Sequence, residues 1–497
     1  MKRSYIAFIL MMLHSTLWAH QKRIIILSTD SGGGHTTAQR TLETTLKNLK
    51  YRVEVKYPNK QNDVASMFEH GWDYLYSHGY FEIIELWKKS KPVLDLTLGA
   101  TSYLLQIAGP AFHAIGIHFH PENKTETEKF ILDITNADLV ISVIPSWNDI
   151  FFGATKITST PFRIVPTDLD ISDFMNGIIN PQSHPNFQMW VANDMPEIRN
   201  QCKKIGFICQ EIGYPVHAHF TEKGRMLRSI AKEEYQATLR QKYHVKPETL
   251  IISLMMGAKG FEKDIFILYV SSLAAILNEF GQYKSRLEVF CGKNQALAQE
   301  VQRISQGYTN TNVTIRTHGF TPSEQVAEWL AISDAFLTKP GGATANEAMA
   351  IGVPTLFLRN PITHENTNAD ILEAHGWSRS FKPLSRKKAL HPTELTHITQ
   401  QIWQHSMQPI SQHPIPKPHI PEFIQHLGLQ SRVLWHNPLT QPIYTAWEKL
   451  LENKDIIDPP SLRNLLHQTI FTPLPLPPQN TFHERICQEV EYALIPS

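Results

Sequence analysis

Short apolar runs alternate with longer amphipathic stretches from residue 23 onward, and this alternation constrains the fold more than any other feature of the chain. The run "RIIIL" at residues 23–27 is typical of a buried strand, and "TTAQRTLETTLKNL" after it has the spacing of a helix. Strand and helix patterns that alternate in this way predict a parallel sheet with helices on both faces. The other strand candidates of the first half are residues 51–57, 137–145, 162–168 and 187–193.

A helical stretch at residues 222–243 separates this pattern from a second one of the same kind. Its strand candidates are residues 249–261, 286–294, 313–320, 334–342 and 353–361. A chain of 497 residues is also too long for one ordinary core, so we predict two α/β domains that face each other across a cleft. Doubly wound sheets bind ligands at the carboxyl ends of their strands, which places the expected site in that cleft.

The composition changes after residue 381, where half of the chain's 32 prolines lie between amphipathic pieces. This last part is either a partly disordered tail or a helical extension, and Trp403, Trp435 and Trp447 favour packing. The predicted parts are a leader or anchor at 1–21, an N-terminal domain at 22–221, a C-terminal domain at 222–382 and a helical, proline-rich extension at 383–497.

The first 20 residues have the layout of a signal peptide, with Lys2 and Arg3 before an apolar stretch at 5–13. Leu17 stands where a cleavage site prefers a small residue, although Ala19 fits. The apolar stretch is shorter than the ~20 residues that span a bilayer. The segment is therefore either a cleaved signal peptide or an uncleaved anchor at the membrane interface.

Charge and cysteine content exclude some classes of function. The formal net charge of +1 gives no support to a nucleic-acid partner. The four cysteines are Cys202, Cys209, Cys291 and Cys487, and no two form a CxxC pair. We therefore expect reduced thiols and no metal cluster.

Three glycines and a histidine, "GGGH" at residues 32–35, follow the first strand and begin the first helix. A helix N-terminus with bare backbone suits a phosphate or another anion. A dinucleotide-binding turn is an alternative, because Gly32 and Gly34 fit its fingerprint and Glu54 fits its ribose acid, but Thr37 stands at the third glycine. A turn that only packs the helix on the strand is another.

His35 favours the catalytic alternative. At the start of the helix and the edge of the cleft it can take a proton from a hydroxyl group, and the positive end of the helix favours the neutral imidazole that a base requires. A single histidine taken alone is more often structural.

A second strand, turn and helix lies at residues 334–352, with "KPGG" as the turn. The first helical turn can face a diphosphate. Glu347 lies one turn further, where a carboxylate can accept both hydroxyls of a ribose. His364, Glu365, Asn366 and Asn368 follow the next strand and offer polar groups for the hydroxyls of a sugar.

Five segments together resemble one family. They are "STDSGGGHTTAQRTL", "GYPVHAHF", "VFCGKNQAL", "HGFTPSEQVAEWLAISDAFLTKPGGATANEAMAIGVP" and "NPITHENTNADIL", in this order over residues 22–381. The sequence is similar here to the monogalactosyldiacylglycerol synthase and processive diacylglycerol glucosyltransferase family, which is related to the N-acetylglucosaminyltransferase of peptidoglycan lipid intermediates. The resemblance implies a GT-B fold of two Rossmann-like domains. It also implies inverting transfer of a hexose from a UDP-sugar to a lipid hydroxyl, without a metal or other cofactor.

The resemblance assigns the acceptor to the N-terminal domain and the UDP-sugar to the C-terminal domain. His35 matches the histidine proposed as general base, and Asp168 in "VPTDLD" matches an aspartate on the acceptor side and is a second candidate for the base. The glycines that match loops at the transferred sugar and the donor phosphates are Gly32, Gly33, Gly34, Gly257 and Gly260.

The remaining matches surround the nucleotide and its sugar. Gly319 and Phe320 match the segment around the base, and Glu347 matches the ribose ligand. Further matches are Gly341, Gly342 and Thr344 at the phosphate-contacting helix start, and Glu365 and Asn368 in the sugar-facing loop.

Two departures from the family pattern bear on specificity. The family usually has Gly-Gln before the acid at Glu365, where this chain has Thr363 and His364. The stretch "VISVIPSWND" lacks the histidine that members commonly have after this strand. The first departure concerns the identity of the sugar and the second that of the acceptor.

Residues 66–99 bring seven aromatic residues close to three lysines. This mixture suits a membrane interface, although a helical pair with an aromatic core has the same composition. Because UDP-sugars are cytosolic, we expect the enzyme at the cytoplasmic face of a membrane, with export through a signal peptide as the alternative. Two other functions fit the same fold: a UDP-sugar epimerase, and a non-catalytic protein that binds a nucleotide or lipid.

Overall fold

The computed structural model describes residues 21–29, 33–58, 126–145, 147–175, 177–193, 195–206, 209–257, 263–279, 284–309, 311–359, 363–382, 384–386, 454–456, 459–472 and 474–494. Outside these ranges lie residues 1–20 of the predicted leader or anchor at 1–21, the aromatic stretch at 66–99 and the tryptophans at 403, 435 and 447.

The N-terminal unit is a six-stranded parallel sheet in the order β2-β1-β3-β4-β5-β6. Its strands are β1 (Arg23–Leu27), β2 (Arg52–Lys56), β3 (Leu139–Ser142), β4 (Phe162–Ile164), β5 (Phe187–Val191) and β6 (Cys209–Glu211). Its helices are α1 (Gly33–Asn48), α2 (Glu126–Thr135), α3 (Asn148–Thr158) and α4 (Pro196–Ile205), with 3₁₀ turns at Ser172–Met175 and Pro181–Ser183.

The C-terminal unit repeats this architecture, with a six-stranded parallel sheet in the order β12-β11-β10-β7-β8-β9. Its strands are β7 (Leu250–Met255), β8 (Ser285–Phe290), β9 (Val313–His318), β10 (Ala335–Thr338), β11 (Thr355–Leu358) and β12 (Ser378–Phe381). Its helices are α5 (Ala218–Leu227), α6 (Lys232–Lys242), α7 (Lys263–Glu279), α8 (Gln295–Gln306), α9 (Ser323–Ile332), α10 (Gly342–Ile351) and α11 (Thr363–Ala374). A hairpin of β13 (Leu384–Arg386) and β14 (Lys454–Ile456) follows.

The prediction of two parallel α/β units is therefore confirmed. The central strands are buried on both faces, as the continuous apolar runs require: Ile24, Ile25, Ile26 and Leu27 of β1 are all 0% exposed. The stretch at 222–243 forms two helices, α5 and α6, rather than one. The short strands β6 and β12 were not predicted.

The last two helices of the chain pack on different sheets. Helix α12 (Pro459–Phe471) buries Leu462 and Leu466 against the C-terminal sheet. Helix α13 (Phe482–Ala493) lies on the N-terminal sheet, where Phe482 belongs to one core with Ile24 and Trp190. The last described helix thus packs on the unit that contains the first described strand.

The start of α13 and the residues just before it are held at the junction of the two units. Asn480 Nδ2 donates a hydrogen bond to the Tyr214 carbonyl oxygen at 2.8 Å, and the His483 ring lies 3.0 Å from the Val216 carbonyl oxygen. Tyr214 and Val216 lie between β6 and α5, where the chain passes from one unit to the other. This stretch is therefore part of the joint between the units.

The expectation of reduced thiols throughout is wrong for two cysteines. Cys202 and Cys209 form a disulfide, with a Cα–Cα distance of 6.3 Å. They meet because α4 ends just before β6 begins, and Gly206 takes a left-handed conformation (φ 87°) at the turn between them. Cys291 and Cys487 are free cysteines. Among the described residues, no helix is long and apolar enough to cross a membrane.

The packing of α13 leads to a prediction about stability. Phe482 is 0% exposed, whereas Tyr492 on the same helix is 68% exposed. We expect Phe482→Ala to lower the free energy of unfolding by about 3–5 kcal/mol, because it leaves a cavity between the helix and the N-terminal sheet. Tyr492→Ala is the matched control and should stay within about 0.5 kcal/mol of wild type. Guanidinium unfolding followed by circular dichroism measures both, and equal small losses would contradict the packing.

Candidate functional site

The two glycine-rich helix starts face each other between the units. Helix α1 begins just after β1, and α10 begins just after β10, so both N-termini lie at the carboxyl ends of central strands. A Cβ built on Gly34 would lie 3.8 Å from the Cβ of Ala343. Two helix N-termini, each with a positive dipole end, therefore line one cleft.

His35 is half-buried on the first turn of α1 and has a defined orientation. Its Nδ1 lies 2.8 Å from the Val143 carbonyl oxygen and 3.0 Å from the Thr167 hydroxyl. Because a carbonyl oxygen only accepts, Nδ1 carries the proton and the lone pair of the neutral ring is on Nε2. A backbone carbonyl thus orients the ring as a base is oriented in catalytic sites.

Asp168, the second candidate for the base, lies on the segment after β4 that reaches the C-terminal unit. Its Oδ1 accepts a hydrogen bond from Asn368 Nδ2 at 2.9 Å. The neighbouring Thr167 carbonyl oxygen accepts from the Tyr214 hydroxyl at 3.1 Å. Burial raises the pKa of Tyr214, and the charges of Asp168 and Glu347 raise it further, so the phenol stays neutral and donates.

Gly342, at the start of α10, is required by the contact between the units. A Cβ at this position would overlap the Thr167 carbonyl oxygen and lie 2.7 Å from Asp168 Oδ1. Thr344, on the same first turn, is half-buried, and Gly341 is the N-cap residue. The segment at 167–168 therefore lies directly against the helix start that the resemblance assigns to the donor phosphates.

Lys339 is the functional candidate that the sequence reasoning missed. Its Nζ donates to Glu365 Oε1 at 2.5 Å, and the two side chains are only 12% and 8% exposed. Its Cε would lie 3.1 Å from a Cβ at Gly257, and its Nζ 3.1 Å from a Cβ at Gly341. The ammonium group thus lies between the two glycine turns. The available signal was a lysine separated by one residue from the Gly-Gly pair at the helix start.

Gly257 has a backbone conformation that favours glycine, with φ at +88°. It follows β7, the strand next to β10, so its turn lies beside the start of α10. The structure therefore brings this predicted phosphate turn next to Gly341 and Lys339.

Glu347 projects from the second turn of α10 and is half-buried. Desolvation raises the pKa of its carboxyl group to about 8. A carboxyl group with so raised a pKa in a cleft is a candidate for ligand binding.

Phe320 follows β9, the edge strand of the C-terminal sheet. Its ring is 62% exposed, and Lys293 Nζ lies 5.4 Å from the ring centroid. A Cβ at Gly319 would lie 3.9 Å from the Gly292 carbonyl oxygen, so the turns after β8 and β9 are adjacent. An exposed aromatic face at the carboxyl ends of these strands suits a stacked planar ring.

Other sequence assignments have a structural role or fall outside the described residues. Glu54, the ribose acid of the dinucleotide alternative, binds Arg23 through both oxygens at 3.0 and 2.8 Å, and this pairing lowers its pKa. The carboxylate that would bind a ribose in the dinucleotide-binding alternative is therefore already paired with Arg23. Gly32, Gly260 and the side chain of His364 lie outside the described residues. Within the described ranges, no group of three or more histidine, cysteine or acidic residues is placed to hold a metal ion.

Comparison with known proteins gives relatives for most of the chain. The processive diacylglycerol beta-glucosyltransferase of Bacillus licheniformis is 24% identical over 362 residues, which cover 71% of this chain and 82% of the relative. The protein of the same name from Bacillus subtilis is 24% identical over 363 residues, with the same shares covered. No family model matches the chain.

Solved structures with a similar arrangement are more remote. The MurG structure of Acinetobacter baumannii is 13% identical with a TM-score of 0.43, and the match covers 82% of this chain and 99% of that one. The glycosyltransferase SnogD of Streptomyces nogalater is 12% identical with a TM-score of 0.40, covering 78% and 96%.

The match to the curated relatives extends over both α/β units, in agreement with the motifs at residues 28–42 and 317–368. The chain is therefore a glycosyltransferase of the GT-B type, related to the processive diacylglycerol beta-glucosyltransferases.

Proposed function

We propose that the protein is an inverting glycosyltransferase that moves a hexose from a UDP-sugar to the hydroxyl group of a lipid such as diacylglycerol. The observation that carries this proposal is the cleft itself, where two helix N-termini face each other at 3.8 Å between Cβ positions. An oriented histidine and a half-buried lysine lie on its two walls. The names of the curated relatives support the choice of a glucosyl donor and a diacylglycerol acceptor.

The C-terminal wall would hold the diphosphate of the donor. The backbone N–H groups at Gly342 and Thr344 would bind its oxygens, and Lys339 would lie beside them. As the bond to the anomeric carbon breaks, negative charge grows on the leaving diphosphate. The dipole of α10, its first N–H groups and the Lys339 ammonium group would together stabilise that charge. We therefore propose a reaction that needs no metal.

The rest of the donor would lie along the carboxyl ends of the C-terminal strands. The ionised Glu347 carboxylate would accept from the two ribose hydroxyls, and Phe320 would stack on the uracil ring. Glu365, which holds the Lys339 ammonium group, would accept from a hydroxyl of the sugar.

The N-terminal wall would supply the base. His35 Nε2 would take the proton of the acceptor hydroxyl while its oxygen attacks the anomeric carbon opposite the departing UDP, which inverts that centre. The Val143 carbonyl oxygen would stabilise the protonated ring through Nδ1–H. General-base assistance of this kind contributes a factor of about 10²–10⁴ in rate.

The location of the proposed substrates indicates where the enzyme would act. Diacylglycerol resides in membranes and UDP-sugars in the cytosol, so we propose that the enzyme acts at the cytoplasmic face of a membrane surface. The aromatic and lysine-rich stretch at 66–99 and the N-terminal apolar segment are the candidate contacts.

The transfer reaction is tested by incubating the purified protein with UDP-glucose, UDP-galactose or UDP-N-acetylglucosamine, each with diacylglycerol in mixed micelles. We expect glycolipid and UDP to form together with one donor. His35→Ala should lower that rate by about 10²–10⁴ because the base is lost. His467→Ala, at an exposed position of α12, is the matched control and should keep the wild-type rate.

Two outcomes would contradict this proposal. Bound UDP-sugar that is never turned over with any acceptor would leave the binding-protein alternative. Epimerised donor without lipid would favour the epimerase.

The role of Lys339 is tested in a buffer with EDTA, where we expect transfer to continue. Lys339→Met should lower kcat by about 10²–10³, because one donor to the developing charge is removed. The double variant Lys339→Met/Glu365→Gln controls for the buried carboxylate that the single variant leaves unpaired. Loss of activity in EDTA that Mg²⁺ restores would contradict the metal-free mechanism.

The raised pKa of Glu347 predicts a pH dependence of donor binding. Below pH 8 the carboxyl group is mostly protonated, and the ionised form that accepts from ribose grows as the pH rises. We expect the affinity for UDP-glucose, which has no ionisable group of its own in this range, to rise about fivefold between pH 7 and pH 8. Isothermal titration calorimetry measures it. Glu347→Gln should give a flat profile, and a flat profile in wild type would contradict the assignment.

A further inference from the structure

The side chain of Asn368 joins the two units. It lies on α11 of the C-terminal unit and is 0% exposed. Its Nδ2 donates to Asp168 Oδ1 and to the Pro340 carbonyl oxygen, both at 2.9 Å. Its Oδ1 accepts from the Leu169 backbone N–H at 2.8 Å. Two of these three bonds reach the N-terminal unit, about 200 residues away in sequence.

The partners fix the orientation of this amide. A backbone N–H only donates and a carbonyl oxygen only accepts, so the Leu169 and Pro340 bonds assign Oδ1 and Nδ2 without ambiguity. Both N–H bonds of the amide are used. In this arrangement, Asn368 has no donor left for a hydroxyl group of a sugar, and its bonds serve the contact between the units.

The segment that Asn368 binds also positions the catalytic histidine. Thr167 lies 3% exposed directly before Asp168, and its hydroxyl is 3.0 Å from His35 Nδ1. Its carbonyl oxygen fills the space beside Gly342 and accepts from the Tyr214 hydroxyl. A change at Asn368 therefore acts on the segment that contacts the imidazole and the start of α10.

We propose that Asn368 is a positioning residue that latches the two units together across the cleft by binding Asp168 and Leu169. The latch itself rests on these hydrogen bonds. Its consequence for transfer, the alignment of His35 with the donor site, rests on the proposed function. A residue that the family pattern places toward the sugar thus controls closure of the cleft.

The closed arrangement can be trapped with a disulfide. The Cβ–Cβ separation of 3.8 Å between positions 34 and 343 lies within the range of about 3.5–4.5 Å that disulfides use. The full-length Gly34→Cys/Ala343→Cys variant should therefore cross-link under mild oxidation without added nucleotide. Peptide mapping identifies the cross-link. Its absence would show that the units do not meet in solution and would overturn the proposal.

The contribution of Asn368 is measured by the rate at which a thiol in the cleft reacts. Ala343 is half-buried beside Gly34, so a cysteine introduced by Ala343→Cys should react with a bulky maleimide faster when the units separate than when they are closed. Losing the latch bonds leaves buried polar groups unpaired, so Asn368→Ala should speed this reaction by about tenfold or more. Mass spectrometry of the peptide that carries position 343 distinguishes it from the free cysteines Cys291 and Cys487.

Asn148 provides a matched control. It is also buried, at 1% exposed, and it also uses two donors and one acceptor, but all its bonds stay within the N-terminal unit. Asn148→Ala should lower stability without speeding alkylation at position 343. An equal acceleration in both variants would mean general loosening and would overturn the latch.

Variants at Asp168 separate the latch from catalysis. Asp168→Asn can still accept from Asn368 through its amide oxygen, so alkylation should stay near the wild-type rate. Asp168→Ala removes one of the two latch bonds and should speed alkylation less than Asn368→Ala does, because the Leu169 N–H still binds Asn368. The two alanine changes should not be additive. Unchanged alkylation in Asn368→Ala would contradict the proposal. These readouts require no sugar transfer, so they remain decisive even if the proposed reaction is wrong.

Discussion

The contact on which the site depends is the close approach of the Thr167 carbonyl oxygen to the start of α10. Only glycine at position 342 leaves room for it, because any Cβ there would overlap that oxygen. This approach brings the first turns of α1 and α10 together and places Asp168 beside Asn368. It also sets the Thr167 hydroxyl against His35. The bare backbone that admits the other unit also begins the helix whose N–H groups we propose as ligands of the donor diphosphate.

The last two described helices strengthen this joint, because one packs on each unit. Helix α12 completes the core of the C-terminal sheet, and α13 completes that of the N-terminal sheet. Asn480, just before α13, and His483, at its start, bind the carbonyl oxygens of Tyr214 and Val216 in the connection between the units. The Tyr214 hydroxyl in turn donates to the Thr167 carbonyl oxygen, so Tyr214 links Asn480 to the cleft.

Most of the fold could be predicted from the sequence, because strands buried on both faces are continuous apolar runs such as "RIIIL". Both glycine helix starts were also predicted, because glycine and the helix pattern are local signals. The short strand at Cys209–Glu211 was missed, since three half-buried residues carry no periodicity. Its disulfide partner Cys202 was missed for a related reason, because seven residues of separation do not determine a bond.

The site was predicted less completely because its contacts join distant residues. In the sequence, Lys339 is recognisable only as part of a turn. Its place in the site depends on contacts with Gly257 and Glu365, which follow other strands. The bonds of Asn368 depend on a segment 200 residues away. Glu54 had the correct spacing for a ribose acid, but Arg23 on the neighbouring strand binds it. Spacing in the sequence identifies candidates, whereas the partner of each charge is fixed only by the fold.

The central claim is that one UDP-sugar binds between the two helix starts, and hydrogen–deuterium exchange tests it most directly. The first N–H groups of a helix have no partner within the helix, so a bound diphosphate or sugar should slow their exchange. With UDP-glucose, we predict slower exchange both at residues 33–36 of α1 and at residues 342–345 of α10. Slower exchange in only one of these two segments, or in neither, would contradict a donor site shared by the two units.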